Sequence, residues 1–231
     1  MKVNGIDIRK YNAKQLTVEV QPPSIAVNYE WLDSANAPTE FNTDIKMGHI
    51  KISVYFKGKD RTSILRMASE FMENFTKSCD LELDNYRGKY RGFMTSNDYE
   101  KMSVKNRYIV NLELDGYFYD DEIEIVLDEK TETTVYRVGT RDAPCILSVT
   151  AKKKLTDFSI SGFGEDDIII KSLEKGATIE VNGTTGLITK NGSNAFDSID
   201  LWELPELKEV TRVTLSSQAA TVTIRYAPMW I

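Results

Sequence analysis

Short strand-like runs and tight turns alternate between residues 177 and 226, and this pattern constrains the fold more than any other feature of the chain. Residues 177–181 and 221–226 each place branched or aromatic side chains at every second position, which is the repeat of a half-buried strand. Residues 182–186 and 191–192 favour turns, because Asn and Gly tolerate positive φ. Strands at this close spacing predict an antiparallel β-sandwich.

The first half of the chain contains similar strands and a single helical pattern. Three runs alternate apolar and polar side chains, namely residues 48–56, 79–83 and 107–114. Residues 61–77 carry apolar side chains three and four positions apart, and Asp60 or Thr62 is suited to cap this helix. The apolar stripe consists of Ile64, Leu65, Ala68, Phe71, Met72 and Phe75. We therefore predict an α+β unit with one helix on a sheet, within a chain that is mainly β.

Residues 23–48 show weak periodicity and include Trp31. Long segments without a clear element are often functional or reach another chain. One interpretation is therefore an arm over residues 25–45. The other is an unrecognised strand near residues 26–31, and the sequence favours neither.

Length and charge limit the class of protein. The chain has 231 residues, 41% of them hydrophobic and 28% charged, which suits two folded domains rather than a disordered protein. The formal net charge is -6 and no long basic run occurs, so direct sequence-specific binding of nucleic acid is not expected. No apolar stretch of about 18 residues and no secretory signal are present, so neither a membrane span nor secretion is predicted.

A change in composition places the boundary between the two domains. Polar and charged residues dominate between residues 119 and 142, as is typical of an exposed connection. We therefore predict an N-terminal domain over residues 1–130 and a C-terminal sandwich over residues 131–231.

The residues that support catalysis are scarce. His49, the single histidine, lies on the polar side of a strand, and no nucleophile elbow or phosphate-binding loop is present. Cys79 and Cys145 are interpreted as buried free thiols. We predict no enzymatic activity, no metal and no cofactor. A glycan hydrolase that uses a pair of carboxylates, such as Asp166 and Asp167, is the weaker alternative.

Aromatic residues of the C-terminal half suggest a further alternative. Carbohydrate-binding sandwiches stack sugar rings on exposed aromatic side chains, and Trp230, Phe163 and Trp202 are the candidate contacts with a glycan or a protein partner. A Trp at an alternating strand position is more often part of a core, so Trp230, near the end of the chain, is the candidate to test first.

The order of these elements resembles that of the distal tail proteins (Dit) of siphophages and of related prophage or tailocin particles. The N-terminal half resembles the family in the strand 50–56, the helix 61–77, the run 79–83, residues 90–93 and the closing segment 108–119. The C-terminal half resembles it at residues 138–144, 176–182, 191–192, 201–207 and 222–226.

The resemblance implies an N-terminal ring-forming domain and a C-terminal sandwich similar to galectins or carbohydrate-binding modules. Six copies would form a ring around the DNA channel at the tip of a long non-contractile tail. The ring would join the tail tube protein to the hub, tail-fibre or receptor-binding protein. The sandwich would project outward to baseplate partners or to cell-wall saccharide, with a role in host attachment.

The same resemblance implies a structural virion protein that is synthesised in the host bacterial cytoplasm. Low basic charge suits a channel that lets DNA pass. The candidate contacts between subunits lie on the polar side of the strand 48–56 and in the arm, namely His49, Lys51, Ser53, Tyr55 and Trp31.

Overall fold

A computed structural model describes residues 1–33, 35–102 and 106–230 and divides them into two units, Met1–Tyr119 and Asp120–Trp230. The first unit contains the α-helix α1 (Arg61–Met72) and two short 3-10 helices, Ile8–Tyr11 and Glu73–Phe75. Its strands are β1 (Lys2–Val3), β2 (Ile6–Asp7), β3 (Ala13–Gln21), β4 (Ile25–Glu30), β5 (Thr39–Ile45), β6 (Gly48–Lys57), β7 (Cys79–Glu82), β8 (Lys89–Lys101) and β9 (Arg107–Tyr119).

An antiparallel sheet with the strand order β2-β1-β7-β8-β9-β6-β3 forms the first unit, and α1 packs on one of its faces. The alternation predicted for β6 is present, because its apolar side chains are buried and its polar side chains are more exposed. The buried side chains of β6 are Ile50, Ile52, Val54 and Phe56.

The helix α1 begins at the predicted residue and ends earlier than predicted. Asp60 caps it, since its carboxylate accepts a hydrogen bond of 2.8 Å from the backbone N–H of Ser63. The α-helix ends at Met72 and a 3-10 turn follows, so the predicted helix at 61–77 is shorter than expected. Phe71 anchors the helix through ring contacts with Tyr11, Phe56 and Phe75 at 5.9, 5.4 and 5.1 Å. Leu65, predicted to be part of the apolar stripe, is half exposed instead.

Strands β4 and β5 pair with each other in a separate two-stranded sheet. Every residue of β4 is exposed, and so is every residue of β5 except the half-buried Ile45. The sequence left two interpretations of this region open, an arm and a strand near residues 26–31. A strand is present, and it belongs to an exposed hairpin.

The second unit contains the remaining strands and one 3-10 helix, Phe196–Ser198. Its strands are β10 (Ile123–Leu127), β11 (Glu132–Tyr136), β12 (Ala143–Ala151), β13 (Leu155–Ser161), β14 (Ile168–Leu173), β15 (Thr178–Asn182), β16 (Ile188–Lys190), β17 (Ser193–Asn194), β18 (Ile199–Asp200), β19 (Glu206–Leu207), β20 (Val210–Leu215), β21 (Ala220–Tyr226) and β22 (Met229–Trp230).

Two antiparallel sheets enclose the core of the second unit. One has the order β10-β21-β12-β15-β16-β17, and the other has the order β11-β20-β13-β14-β18. Inward side chains of both sheets form a single buried cluster that includes Leu147, Val149, Ile170 and Ile224. This is the antiparallel β-sandwich that the sequence predicts, and the mainly β fold class is confirmed.

The second unit begins at Asp120, earlier than the sequence-predicted boundary near residue 130. Strand β10 pairs with β21 along its whole length and is therefore part of the sandwich. β10 is an outer strand of its sheet, and polar segments precede and follow it in the sequence. This part of the sequence therefore has the composition of a connection between domains.

Candidate functional site

The outward face of β6 carries polar side chains that are paired within the sheet. His49 Nδ1 lies 2.7 Å from Asp115 Oδ1, and Lys51 Nζ lies 2.7 Å from Glu113 Oε1. Both partners are on β9, directly opposite in register. The hydrogen bond from Lys51 holds the pKa of the Glu113 carboxyl below its ordinary value.

The same face continues toward the other end of β6. Ser53 Oγ donates a hydrogen bond of 2.7 Å to Asn111 Oδ1. The guanidinium of Arg107 lies 6.0 Å from the centre of the Tyr55 ring. The four sequence candidates on β6 therefore lie side by side, and each contacts a residue of the neighbouring strand.

Acidic and basic side chains are mixed on this outward face. Register places the carboxylates of Glu19, Asp98, Glu100, Glu113 and Asp115 on it, together with the cations of Lys14, Lys51, Lys57, Lys89, Arg91 and Arg107. This surface, which we call the mixed-charge face, was not recognised from the sequence, because its charges come from four strands that are distant in the chain.

The β4–β5 hairpin presents a polar side and an apolar side. On the polar side, Asn28 Nδ2 donates to Asn42 Oδ1 at 2.9 Å and to Asp44 Oδ2 at 3.1 Å. Alternation places Ile25, Val27 and Tyr29 on the opposite side, where all three are exposed. Trp31 follows directly after β4 and is also exposed.

The three aromatic candidates of the second unit have different environments. Phe163 is 3% exposed and packs in the sandwich core, so its selection as a glycan or partner contact is wrong. Trp230 is partly exposed, and its Nε1 donates a hydrogen bond of 2.8 Å to Asp120 Oδ2. Trp202 is 82% exposed. The three therefore do not form one site.

Trp202 lies instead at the rim of an open cleft of about 230 Å³. The other residues of the cleft lining are Lys171, Phe196, Asp197, Ile199, Asp200 and Leu201. Lys171 on β14 meets Asp200 on β18, with Nζ 2.7 Å from Oδ1. Sequence analysis missed this juxtaposition, although the turn at residues 191–192 and the nearby aromatic residues were visible signals.

The thiols of Cys79 and Cys145 are poor nucleophiles near neutral pH. Burial raises the pKa of Cys79 and of Cys145 to about 12, so both remain protonated near neutral pH. Across the described residues, no group of three or more His, Cys, Asp or Glu is placed to hold a metal ion. No helix among those residues is long and apolar enough to cross a membrane.

The fold and these surfaces define a class of protein: a two-unit β protein with exposed edges and an exposed arm, which are features of assembly proteins. Residues 138–230 match the family model described as the C-terminal domain of siphovirus-type tail components. The matched residues make up most of the second unit, which is therefore similar to the C-terminal domain of those tail components. A search of curated proteins found no match.

Solved structures extend the likeness to the fold of the whole chain. The crystal structure of SPP1 Dit, described as a paradigm of the hub adsorption apparatus in phages that infect Gram-positive bacteria, has a TM-score of 0.72. The match covers 100% of this chain and 98% of that one at 12% identity. A chain of the phage p2 baseplate, in its activated conformation with strontium, has a TM-score of 0.53 at 10% identity, with 95% and 92% covered. The resemblance to distal tail proteins is thus confirmed.

Proposed function

We propose that this chain is the ring-forming hub protein of a long non-contractile tail. Six copies would surround the DNA channel and join the tail tube protein to a tail-tip hub, fibre or receptor-binding protein. The number six and these partners come from the resemblance to distal tail proteins. The exposed β4–β5 hairpin is the observation that carries the assembly role.

A hairpin of this kind needs a partner surface. An isolated two-stranded sheet is marginally stable in water, and β4 and β5 pair only with each other among the described strands. Its apolar side exposes Ile25, Val27 and Tyr29, and these would lose contact with water if another subunit covered them. We infer that this side of the hairpin packs on a neighbouring copy, with Trp31 at the margin of the contact.

Strand β3 offers a second contact for ring closure. It is the outer strand of the main sheet, and among the described strands it pairs only with β6. Exposed Leu16 and Val20 lie on it. An unpaired edge with apolar side chains is a site for contact with another chain. Repetition of one such contact between identical copies closes a ring when the rotation permits.

The mixed-charge face is less suited to contacts between subunits than the hairpin is. Its residues His49, Lys51 and Ser53 already have partners within the sheet. We therefore assign the subunit contact to the hairpin.

The first test is the mass of the purified full chain by light scattering coupled to size exclusion, with negative-stain images. Six copies in a ring with a central hole are expected. A monomer at every concentration up to about 1 mM would contradict assembly by this chain alone, because a contact that forms a stable ring is far tighter.

Two lysine substitutions at neighbouring positions locate the contact. Val27→Lys places a charge on the apolar side of the hairpin and is expected to abolish the ring. Ala26→Lys places the same charge on the polar side, opposite Asp44, where an opposite-charge pair supports the hairpin. Ring formation by both variants would exclude the hairpin as the subunit contact.

A further inference from the structure

We propose that the β4–β5 hairpin is unfolded in the free subunit and folds only when a neighbouring copy covers it. The paired strands of the structure are then the form that the hairpin takes in the assembled ring. This inference rests on the proposed function, because it requires the apolar side of the hairpin to be the contact between subunits. It adds a regulatory step, since each subunit must order its own hairpin before the ring closes.

A break in the hydrogen-bond ladder separates the hairpin from the main sheet. The pairing of β3 with β6 ends at Gln21 and His49, and the pairing of β4 with β5 begins at Ile25 and Ile45. Both residues that follow Gln21 are prolines, which have no backbone N–H to donate to a ladder. The hairpin is therefore a separate cooperative unit, which can unfold while the main sheet stays folded.

The interactions within the hairpin are open to water. The side-chain hydrogen bonds among Asn28, Asn42 and Asp44 are exposed, and so is the bond of 3.1 Å from the N–H of Lys46 to the carbonyl oxygen of Ser24 at its base. Such bonds contribute little to stability, because water offers an equal partner. A two-stranded sheet needs a third strand or a packing surface for independent stability, and no third described strand pairs with this one.

The apolar side of the hairpin stabilises the folded form only when another surface covers it. Ile25, Val27 and Tyr29 are 55%, 44% and 65% exposed, so the folded hairpin alone removes little apolar surface from water. Ordering the backbone of each residue has an entropic cost, and few contacts of the free hairpin offset it. Burial against a neighbouring copy provides the missing contribution. Folding of the hairpin and assembly of the ring are therefore coupled.

Late folding of the hairpin limits wrong contacts between subunits. A hairpin that is always folded presents open strand edges beside exposed apolar side chains, and such edges pair with other chains. An unfolded hairpin presents no edge until a neighbouring copy is in place. The ordering cost also weakens each single contact. Open rows of subunits then dissociate, whereas the closed ring, which has one contact more, persists.

Hydrogen–deuterium exchange of the full chain, followed by mass spectrometry, tests the inference. The monomer is obtained by dilution or from Val27→Lys, and its β4 and β5 amides should exchange within about 10-fold of the rate of an unfolded chain. The amides of β6 and β9, which pair with each other, are the folded reference and should remain protected. In the ring, exchange of the hairpin should slow at least about 100-fold. A hairpin that is as protected as β6 in the monomer would overturn the inference.

A disulfide across the hairpin gives two matched states of one chain. Asn28 and Asn42 lie opposite each other in register and their side chains are in contact, so Asn28→Cys combined with Asn42→Cys places two thiols within reach. The apolar side of the hairpin is unchanged in this variant. Cys79 and Cys145 are buried and do not compete for the new thiols. The oxidised protein is compared with the same protein after reduction.

Oxidation orders the hairpin in advance and should therefore favour the ring. The protein concentration at which half of the subunits are in rings should fall at least about 10-fold on oxidation. In the monomer, the amides of β4 and β5 should exchange at least about 10-fold more slowly after oxidation. A hairpin that is already folded gains nothing from the disulfide. A concentration that is unchanged or raised by oxidation would overturn the inference.

Failure of the proposed function and failure of this inference give different results. A chain that stays monomeric in both the oxidised and the reduced form contradicts ring formation, and coupled folding with it. A ring whose hairpin amides exchange as fast as those of the monomer contradicts the hairpin as the covered contact. A chain that forms rings, and whose free subunits already protect the hairpin, contradicts coupled folding alone and leaves the ring in place.

Discussion

Gly92 and Gly116 lie directly opposite each other in the pairing of β8 with β9. A Cβ on Gly116 would lie 2.0 Å from the carbonyl oxygen of Arg91 and 2.7 Å from the Cα of Gly92. The space next to Gly92 is occupied by the ring of Tyr90, whose hydroxyl donates to the backbone oxygens of Gly48 and Leu114 at 3.1 and 3.2 Å. Two glycines thus allow a buried tyrosine to join three strands of the sheet.

Gly116→Ala is expected to destabilise the first unit by about 1–3 kcal/mol, because the backbone of β8 must move to accept the methyl group. Gly48→Ala is the matched control, since its Cβ would meet no atom closer than 3.4 Å. Urea denaturation followed by circular dichroism measures both. Equal stability of the two variants would contradict the close approach of β8 and β9.

Arg91 holds Asp80 in a two-pronged ion pair, with Nε 2.7 Å from Oδ1 and Nη2 2.8 Å from Oδ2. The hydrogen bonds from Arg91 lower the pKa of Asp80. A lowered folded-state pKa stabilises the fold above the ordinary carboxyl pKa, and this contribution is lost as pH falls.

Asp80→Asn should therefore cost about 0.5–1 kcal/mol near pH 7, a modest value because the pair is more than a third exposed. The cost should shrink as pH falls from the ordinary carboxyl pKa of about 3.9 through the lower folded-state pKa of Asp80. Denaturation across this pH range measures it, with Asp98→Asn as the control. If the loss of unfolding free energy in Asp80→Asn does not change with pH, Asp80 stabilises the fold through packing rather than through its charge.

Cys79 and Cys145 should resist alkylation in the folded protein. Their pKa of about 12, against an ordinary value of 9.0, lowers the thiolate fraction about 1,000-fold near pH 8, and burial also limits access. Iodoacetamide labelling and mass spectrometry should find both thiols unmodified without denaturant and modified with it. Rapid labelling of the folded chain would contradict this.

The same raised pKa values predict an alkaline limit of stability. The folded state holds the protons of Cys79 and Cys145 more tightly than the unfolded state does. The contribution of these protonated thiols to the free energy of unfolding is therefore complete below pH 9 and is lost as pH rises toward about 12. Thermal unfolding of wild type and of Cys145→Ala, compared at pH 8 and near pH 10.5, measures the contribution. A cysteine contribution that is the same at both pH values would contradict the prediction.

Local patterns in the sequence were sufficient for several elements of the fold. The alternation in β6 and in β21, and the three-and-four spacing in α1, follow from the geometry of strand and helix. The absence of catalytic motifs and the resemblance to distal tail proteins were also evident from the residues. These features depend on neighbours in the chain, so the sequence by itself determined them.

Burial and juxtaposition were decided by the tertiary structure. The apolar side of β4 has the pattern of a buried strand and yet is exposed, because a pattern does not specify which surface covers it. Phe163 and Trp202 are both aromatic, and only packing puts the first in the core and the second in solvent. The cleft exists because the pairing of β14 with β18 brings Lys171 to Asp200, and such pairing depends on contacts distant in the chain.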